Sequence, residues 1–307
     1  MISKLLSLSD AIARYVPDGS SVALGMALEA AIPFAAGHEI IRQGKRDLTL
    51  IAPISDILFD QLIGAGCVAT VMAAWVGNVN TGSAYAFRRA VEQRQPREIE
   101  VRDHSNFTLA LALTAASLGV PFIPTQSVLG SDLSSTNTDL IERINPLNER
   151  GEPLLLVRAI HPDVALIHVQ RAEPGGGAHL WGNLGLCREA ALAARAVILI
   201  AEEIVSPEVI RSDPNRVLLP PFRVSAIVHA PGGAHPAPVQ GYYNRDHAFF
   251  DEYADASRTH EGLLDWLDAW VHNANDRADY LGRLGKARWQ GRQAQQPALA
   301  AAVNYGV

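Results

Sequence analysis

The residues in this chain that could do chemistry are small and polar, and they stand just past runs of apolar sequence. "GMALEA" follows "SVAL", "PISD" follows "LTLIA", and "GNVNTGSAY" follows "CVATVMAAWV". "DHSNFT", "QRAEPGGGAHLWGN", "EEIVS" and "APGGAHP" close the later runs in the same way. Glycine lets main-chain amides approach a ligand, and the first turn of a following helix favours an anion. In "GNVNTGSAYAFRRAVE", Asn78, Ser83 and the Ser83–Ala84 amides could hold a carboxylate or a thioester oxygen, with Arg88 and Arg89 one turn further in. A plain helix cap with solvated arginines would read the same way. Glu202 and Glu203 end "VILIA". A carboxylate there is a candidate nucleophile or base if its site shifts its pKa, and otherwise a strand-end group bonded to amides or an arginine. His229 and His235 lie on either side of a Pro-Gly turn with no third ligand at recognisable spacing, so no metal site is expected. His235 could bond a substrate group or tie its own loop down. There is no G-x-S-x-G, Walker loop or dinucleotide fingerprint.

The elements that position these residues follow from the apolar pattern. "LTLIA", "DVALIHVQRA" and "RAVILIAEEIV" are continuous apolar runs, as expected for strands covered on both faces. Between them "IPFAAGHEIIRQG", "SDILFDQLIGAG", "YAFRRAVEQ", "NFTLALALTAASLG" and "CREAALAA" read as helices, the third of these apart mostly apolar and the fourth apolar nearly all round. An early helix is expected to be capped by Ser9 or Asp10. The alternation predicts an α/β fold, an open and mostly parallel sheet with crossover helices. A single domain is expected over residues 1–290, with a polar, turn-rich surface excursion at about 131–153 and a flexible tail at 291–307. "HEGLLDWLDAWVHN" places Leu263, Trp266, Leu267, Trp270 and Val271 on one helical face, to be docked on the body or on a partner.

The bulk composition removes several classes. With 26 basic and 32 acidic residues in 307, the chain has no basic excess for nucleic acid. Two cysteines, Cys67 and Cys187, cannot build a disulfide framework, and both read as buried small hydrophobes. No apolar run reaches membrane-spanning length and the start lacks a signal-peptide pattern, so no membrane association and a cytoplasmic location are expected.

The rim segments, in order, resemble the A (α) chains of family I coenzyme A transferases, the glutaconate CoA-transferase branch in particular. "DGSSVALGMALEAAIP" is similar to that family's glycine-rich opening, with Met26 and Ala27 standing where the family has Gly and Phe. "WVGNVNTGSAYAFRRAVE", "GVPFIPTQSVLGSDL", "DVALIHVQRAEPGGGAHLWGN", "AEEIVS" and "APGGAHP…GYY" follow in the family's sequence order. The resemblance implies a NagB/RpiA/CoA-transferase-like fold and a separate B subunit, as a heterodimer or heterotetramer, carrying the nucleophilic Glu in an S-E-N-G setting. This chain has no S-E-N-G, so it is expected to supply half a cleft and no catalytic residue. The substrates implied are a coenzyme A thioester and an organic di- or oxo-acid, with no permanently bound cofactor. Substrate contacts are expected from Gly25, Met26, Asn78, Ser83, Ser105, Asn106, Ser131 and His235. A related branch, resembling steroid-ring hydrolases that open β-diketone CoA thioesters, places a carboxylate where this chain has Ser105-Asn106. A non-catalytic small-molecule sensor is the alternative from another class, and no basic helix-turn-helix at either end supports it.

Overall fold

The computed structural model describes residues 3–54, 56–147 and 150–294. Strands β1 (Ser21–Leu24), β2 (Leu48–Ile54), β3 (Val68–Trp75) and β4 (Glu100–Asp103) alternate with helices α2 (Phe34–Arg42), α3 (Asp56–Gly64) and α4 (Tyr85–Gln93), after an opening α1 (Leu8–Tyr15). Helix α5 (Asn106–Leu118) leads to β5 (Phe122–Thr125), short α6 (Asp132–Thr136), β6 (Leu140–Ile144) and β7 (Pro153–Arg158). Then come β8 (Val164–Ala172), β9 (Ala178–His179), α7 (Cys187–Ala193), β10 (Ala196–Ile204), α8 (Pro207–Arg211) and β11 (Ala226–His229). Helices α9 (His247–Ala256), α10 (His260–Leu267), α11 (Arg277–Leu284) and α12 (Lys286–Arg292) close the described chain.

The main sheet has the order β11-β10-β8-β1-β2-β3-β4, with β9 pairing off this path against β8. Every pairing along that order is parallel, and β9 alone runs antiparallel to its partner. From β1 the chain builds outward to β4, returns, and starts again at β8 on the other side of β1. Val22, Leu50, Val71, Leu166, Ile198 and Ile227 are fully buried along the sheet, which is why these strands read as unbroken apolar runs.

Four local readings differ from the sequence expectation. The cap of α1 is Ser7, whose side chain accepts from the Asp10 amide at 3.0 Å, so the helix starts earlier than expected. The excursion contains one strand, β6, and runs into β7; with β5 they form a second, antiparallel sheet β5-β7-β6 that rests on α5 through Leu140, Val157 and Ala112. Helix α5 buries Leu109, Ala112, Leu113 and Ala116 but leaves Phe107 and Leu118 more than half exposed, so it is covered on part of its circumference only. Residues 291 and 292 belong to α12, and the Ala294 amide donates to the Tyr242 carbonyl at 2.9 Å. The rest of the expected tail lies outside the described residues.

The aromatic face of α10 docks on the body of the chain. Leu263 packs at Gly64 of α3, where an added Cβ would lie 2.1 Å from the leucine methyl. Trp266 and Trp270 meet the Phe249 ring edge-on at 4.9 Å, a geometry that adds about 1 kcal/mol per pair to the area buried. Among the described residues no helix is long and apolar enough to cross a membrane.

Candidate functional site

Chain order reverses between β1 and β8, and loops from neighbouring strands diverge there to leave a crevice beyond the carboxyl ends. The crevice is a cavity of 360 Å³ lined by Ala30, Ala31, Gln170, Trp181, Asn183, Ala294 and most of the stretch Pro238–Asn244. That volume falls in the small-molecule range of roughly 300–1,000 Å³. None of its described lining residues is charged; apart from the Tyr243 hydroxyl and the Trp181 indole, the polar side chains are the amides of Gln170, Asn183, Gln240 and Asn244.

Two of these amides brace the cavity. Gln170, buried at the end of β8, donates to the carbonyls of Trp181 (2.9 Å) and Gln240 (3.3 Å) and so ties opposite walls. Asn183 donates to the Ala27 carbonyl at 3.0 Å. The Leu186 amide donates to the Met26 carbonyl at 2.8 Å, an approach that leaves no room for a side chain at Gly185. A Cβ there would stand 2.1 Å from the Met26 oxygen, at a φ of +46°. Outside the cavity, the Arg171 and Arg216 guanidinium groups lie over the Trp181 ring at 5.5 and 4.9 Å and hold the indole in place. Gln240 and Asn244 are exposed, and their side-chain amides make no hydrogen bond among the described residues.

The far wall is the loop that leaves β11, and its anchor is Glu202. This carboxylate is 5% exposed at the end of β10. It accepts from the Tyr243 hydroxyl (2.6 Å) and the Gly232 amide (2.7 Å), and meets His168 Nε2 at 2.6 Å. Burial alone would raise its pKa, but the bonds from His168, Tyr243 and Gly232 outweigh it and hold the carboxyl below its ordinary value. Glu203 points outward and pairs with Arg171 at 3.1 Å. Neither glutamate lines the cavity.

The sequence candidates fall around the rim. Gly25 takes a φ of +74° as the chain turns out of β1, and the Met26 side chain is 1% exposed in the core. Asn78 is buried at the end of β3; it donates to the Phe250 carbonyl and accepts from the Asn80 amide, both at 2.9 Å. Ser83 is half-buried just before α4. The anion position at that helix start is taken by the chain's own Asp60, which accepts from the Phe87 amide (2.7 Å) and the Tyr253 hydroxyl (2.7 Å). Burial pushes the Asp60 pKa up to about 6. Arg88 is exposed and paired with Glu92, while Arg89 is buried and donates to the carbonyls of Ser257 and Arg258.

Ser105 caps α5 in a reciprocal box with Thr108, and Asn106 is exposed beside it. Ser131 is exposed in the excursion and donates to the Val128 carbonyl at 2.7 Å. His235 has no exposed surface: Nδ1 meets the Tyr280 hydroxyl at 2.9 Å and Nε2 meets Asp246 at 3.1 Å. Both ring nitrogens are thus used to tie the loop to the C-terminal helices. None of the eight expected contacts lines the cavity itself. Of the residues that do, Gln170, Trp181 and Asn183 belong to the rim segment "QRAEPGGGAHLWGN", though none is singled out there by type; Gln170 carries a signal as a polar side chain in a strand buried on both faces.

Residues 5–230 match the coenzyme A transferase family. The chain is 39% identical to the A chain of the 3-oxoadipate CoA-transferase of Pseudomonas knackmussii, over 94% of its own length and 100% of that protein. It is 34% identical to the corresponding chain of the glutaconate CoA-transferase of Acidaminococcus fermentans, over 94% of this chain and 93% of that one. The crystal structure of glutaconate coenzyme A-transferase from the same organism superposes with a TM-score of 0.89 at 33% identity, covering 95% of this chain and 96% of that one. The fold, the switch-point cavity and these likenesses agree: the chain belongs to the coenzyme A transferase family.

Proposed function

We propose that this chain is the A component of a two-subunit CoA-transferase, and that its cavity is one half of a cleft shared with a B subunit. The observation that carries this reading is the make-up of the cavity's described lining, which is neutral throughout, while the adjacent Glu202 is sealed by its own partners. Transfer needs a carboxylate to attack the acyl-CoA carbonyl and expel CoA thiolate, leaving a mixed anhydride. The thiolate then attacks the enzyme-side carbonyl, releasing the first acid and leaving CoA as an enzyme thioester that a second acid takes over by the reverse steps. The attacking carboxylate must then come from the partner. The A half contributes main-chain amides and neutral side-chain amides, which can orient a thioester and an acid without competing as nucleophiles. CoA is a substrate here and leaves with the product.

A small dicarboxylic or oxo-acid is the acyl class we favour. It fits a cavity of 360 Å³ whose polar lining is mostly amide, with Gln240 and Asn244 free to donate to a carboxylate. The named relatives act on 3-oxoadipate and glutaconate. The ring-opening hydrolase reading has less support, because the start of α5 carries Ser105 and Asn106 and no carboxylate. Buried, unpaired Cys67 and Cys187 suit the reducing cytoplasm as the place of work.

The test is turnover with and without a partner. Purified alone, the chain should transfer no CoA between a short acyl-CoA and a dicarboxylic acid; mixed with its B subunit it should. Full transferase activity from the chain alone would end this reading.

A further inference from the structure

We infer that Glu202 is a positioning residue: through Tyr243 and Gly232 its carboxylate sets the cavity wall against which the acyl-CoA binds. This rests on reading the cavity as the acyl-CoA site. The wall segment, Pro238–Asn244, is attached at one end to the β1–α2 loop, where the Ala31 amide donates to the Pro238 carbonyl at 2.9 Å. At the other end the Tyr243 ring faces the cavity while its hydroxyl donates to Glu202 (2.6 Å) and accepts from the Ala234 amide (3.1 Å). A shift at either attachment moves the wall relative to the other, and so changes the shape of the cavity.

Glu202 also grips the loop leading into that wall. Its second oxygen holds the Gly232 amide, and Arg277 holds the carbonyls of Gly232 (2.8 Å) and His235 (2.7 Å) from the opposite side. A buried anion and a half-buried cation are thus linked across one residue, each offsetting part of the other's loss of water. Glu202 lies near the end of β10, which is paired on both sides, by β8 and β11, so the wall is referenced to the interior of the sheet. The carboxylate touches no cavity volume itself, which separates its role from that of a nucleophile.

The test uses the assembled A–B pair. Tyr243→Phe removes the hydroxyl bridge and leaves the Glu202 and Arg277 charges in place. We expect KM for acyl-CoA to rise about tenfold, the effect of one lost bond to a charged group, with kcat within about twofold of wild type. If that variant does not assemble, Glu202→Asp, which keeps the charge and withdraws it by one methylene, should give the same rise. An unchanged KM in the assembled variant, even with a lower unfolding midpoint, overturns the inference, because a purely structural bond would give that result. A fall in kcat at unchanged KM overturns it too. The reading of the cavity is tested separately: a wild-type pair that never forms a partner-bound thioester contradicts the transferase assignment, while the KM shift still reports on the wall.

Discussion

Asn78 and His235 show at the scale of single residues how the same side chain can look reactive in sequence and be structural in the fold. Each has its polar atoms taken up within the chain. Asn78→Ala in the A–B pair should therefore lower the unfolding free energy by about 1–3 kcal/mol, since it removes the bond to the Phe250 carbonyl and strands the Asn80 amide. Denaturant titration would measure this, and KM for acyl-CoA in the folded pair should not move. His235 makes a prediction in pH. Burial, more than any neighbour, pushes its pKa down to about 4 from 6.5, against the pull of Asp246. Between those values the unfolded chain binds a proton that the folded chain refuses, so stability is full above about pH 6.5 and falls towards pH 4. Urea unfolding of the pair at pH 7 and pH 5 should show that fall, and His235→Gln should make it shallower. His38, also held low chiefly by burial, supplies part of the slope that remains.

At the scale of elements, the loop between β9 and α7 has to press against the end of β1 for the cavity to exist. Gly185→Ala puts a methyl group against the Met26 carbonyl at positive φ, and should cost about 2–4 kcal/mol and raise KM for acyl-CoA as the loop lifts. Thermal unfolding and steady-state kinetics of the same preparation would check both. The strands of the main sheet were legible because burial on both faces demands continuous apolar sequence. The small sheet was not: "LIERI" has charged residues in its middle, and "FIPT" is four residues with a proline, so neither carries a strand's pattern at useful length. The order of rim segments pointed to the same edge of the sheet as the cavity. The cavity on that edge was illegible, because its lining spans Ala30 to Ala294 and neutral amides form no motif. His235 could not be placed either, since the rings of Phe249, Tyr280 and Trp289 that enclose it come from separate helices further along the chain.

On the scale of the whole molecule, the chain is a largely parallel sheet with a hollow at its switch point whose described lining is uncharged. Glu202, behind the hollow's wall, is sealed by its own partners. Among the hollow's described lining residues none is a carboxylate or thiol that could form an acyl or thioester bond, so the hollow is suited to binding and orienting. On the proposed reading, the reacting carboxylate comes to the rim from the second polypeptide. The most direct measurement is to incubate the A–B pair with acyl-CoA, reduce with borohydride, and map the modified residue by peptide mass spectrometry. A reduced glutamate on the B subunit, with every glutamate of this chain unmodified, is the result expected. Modification at Glu202, Glu203 or any other carboxylate of this chain would contradict it.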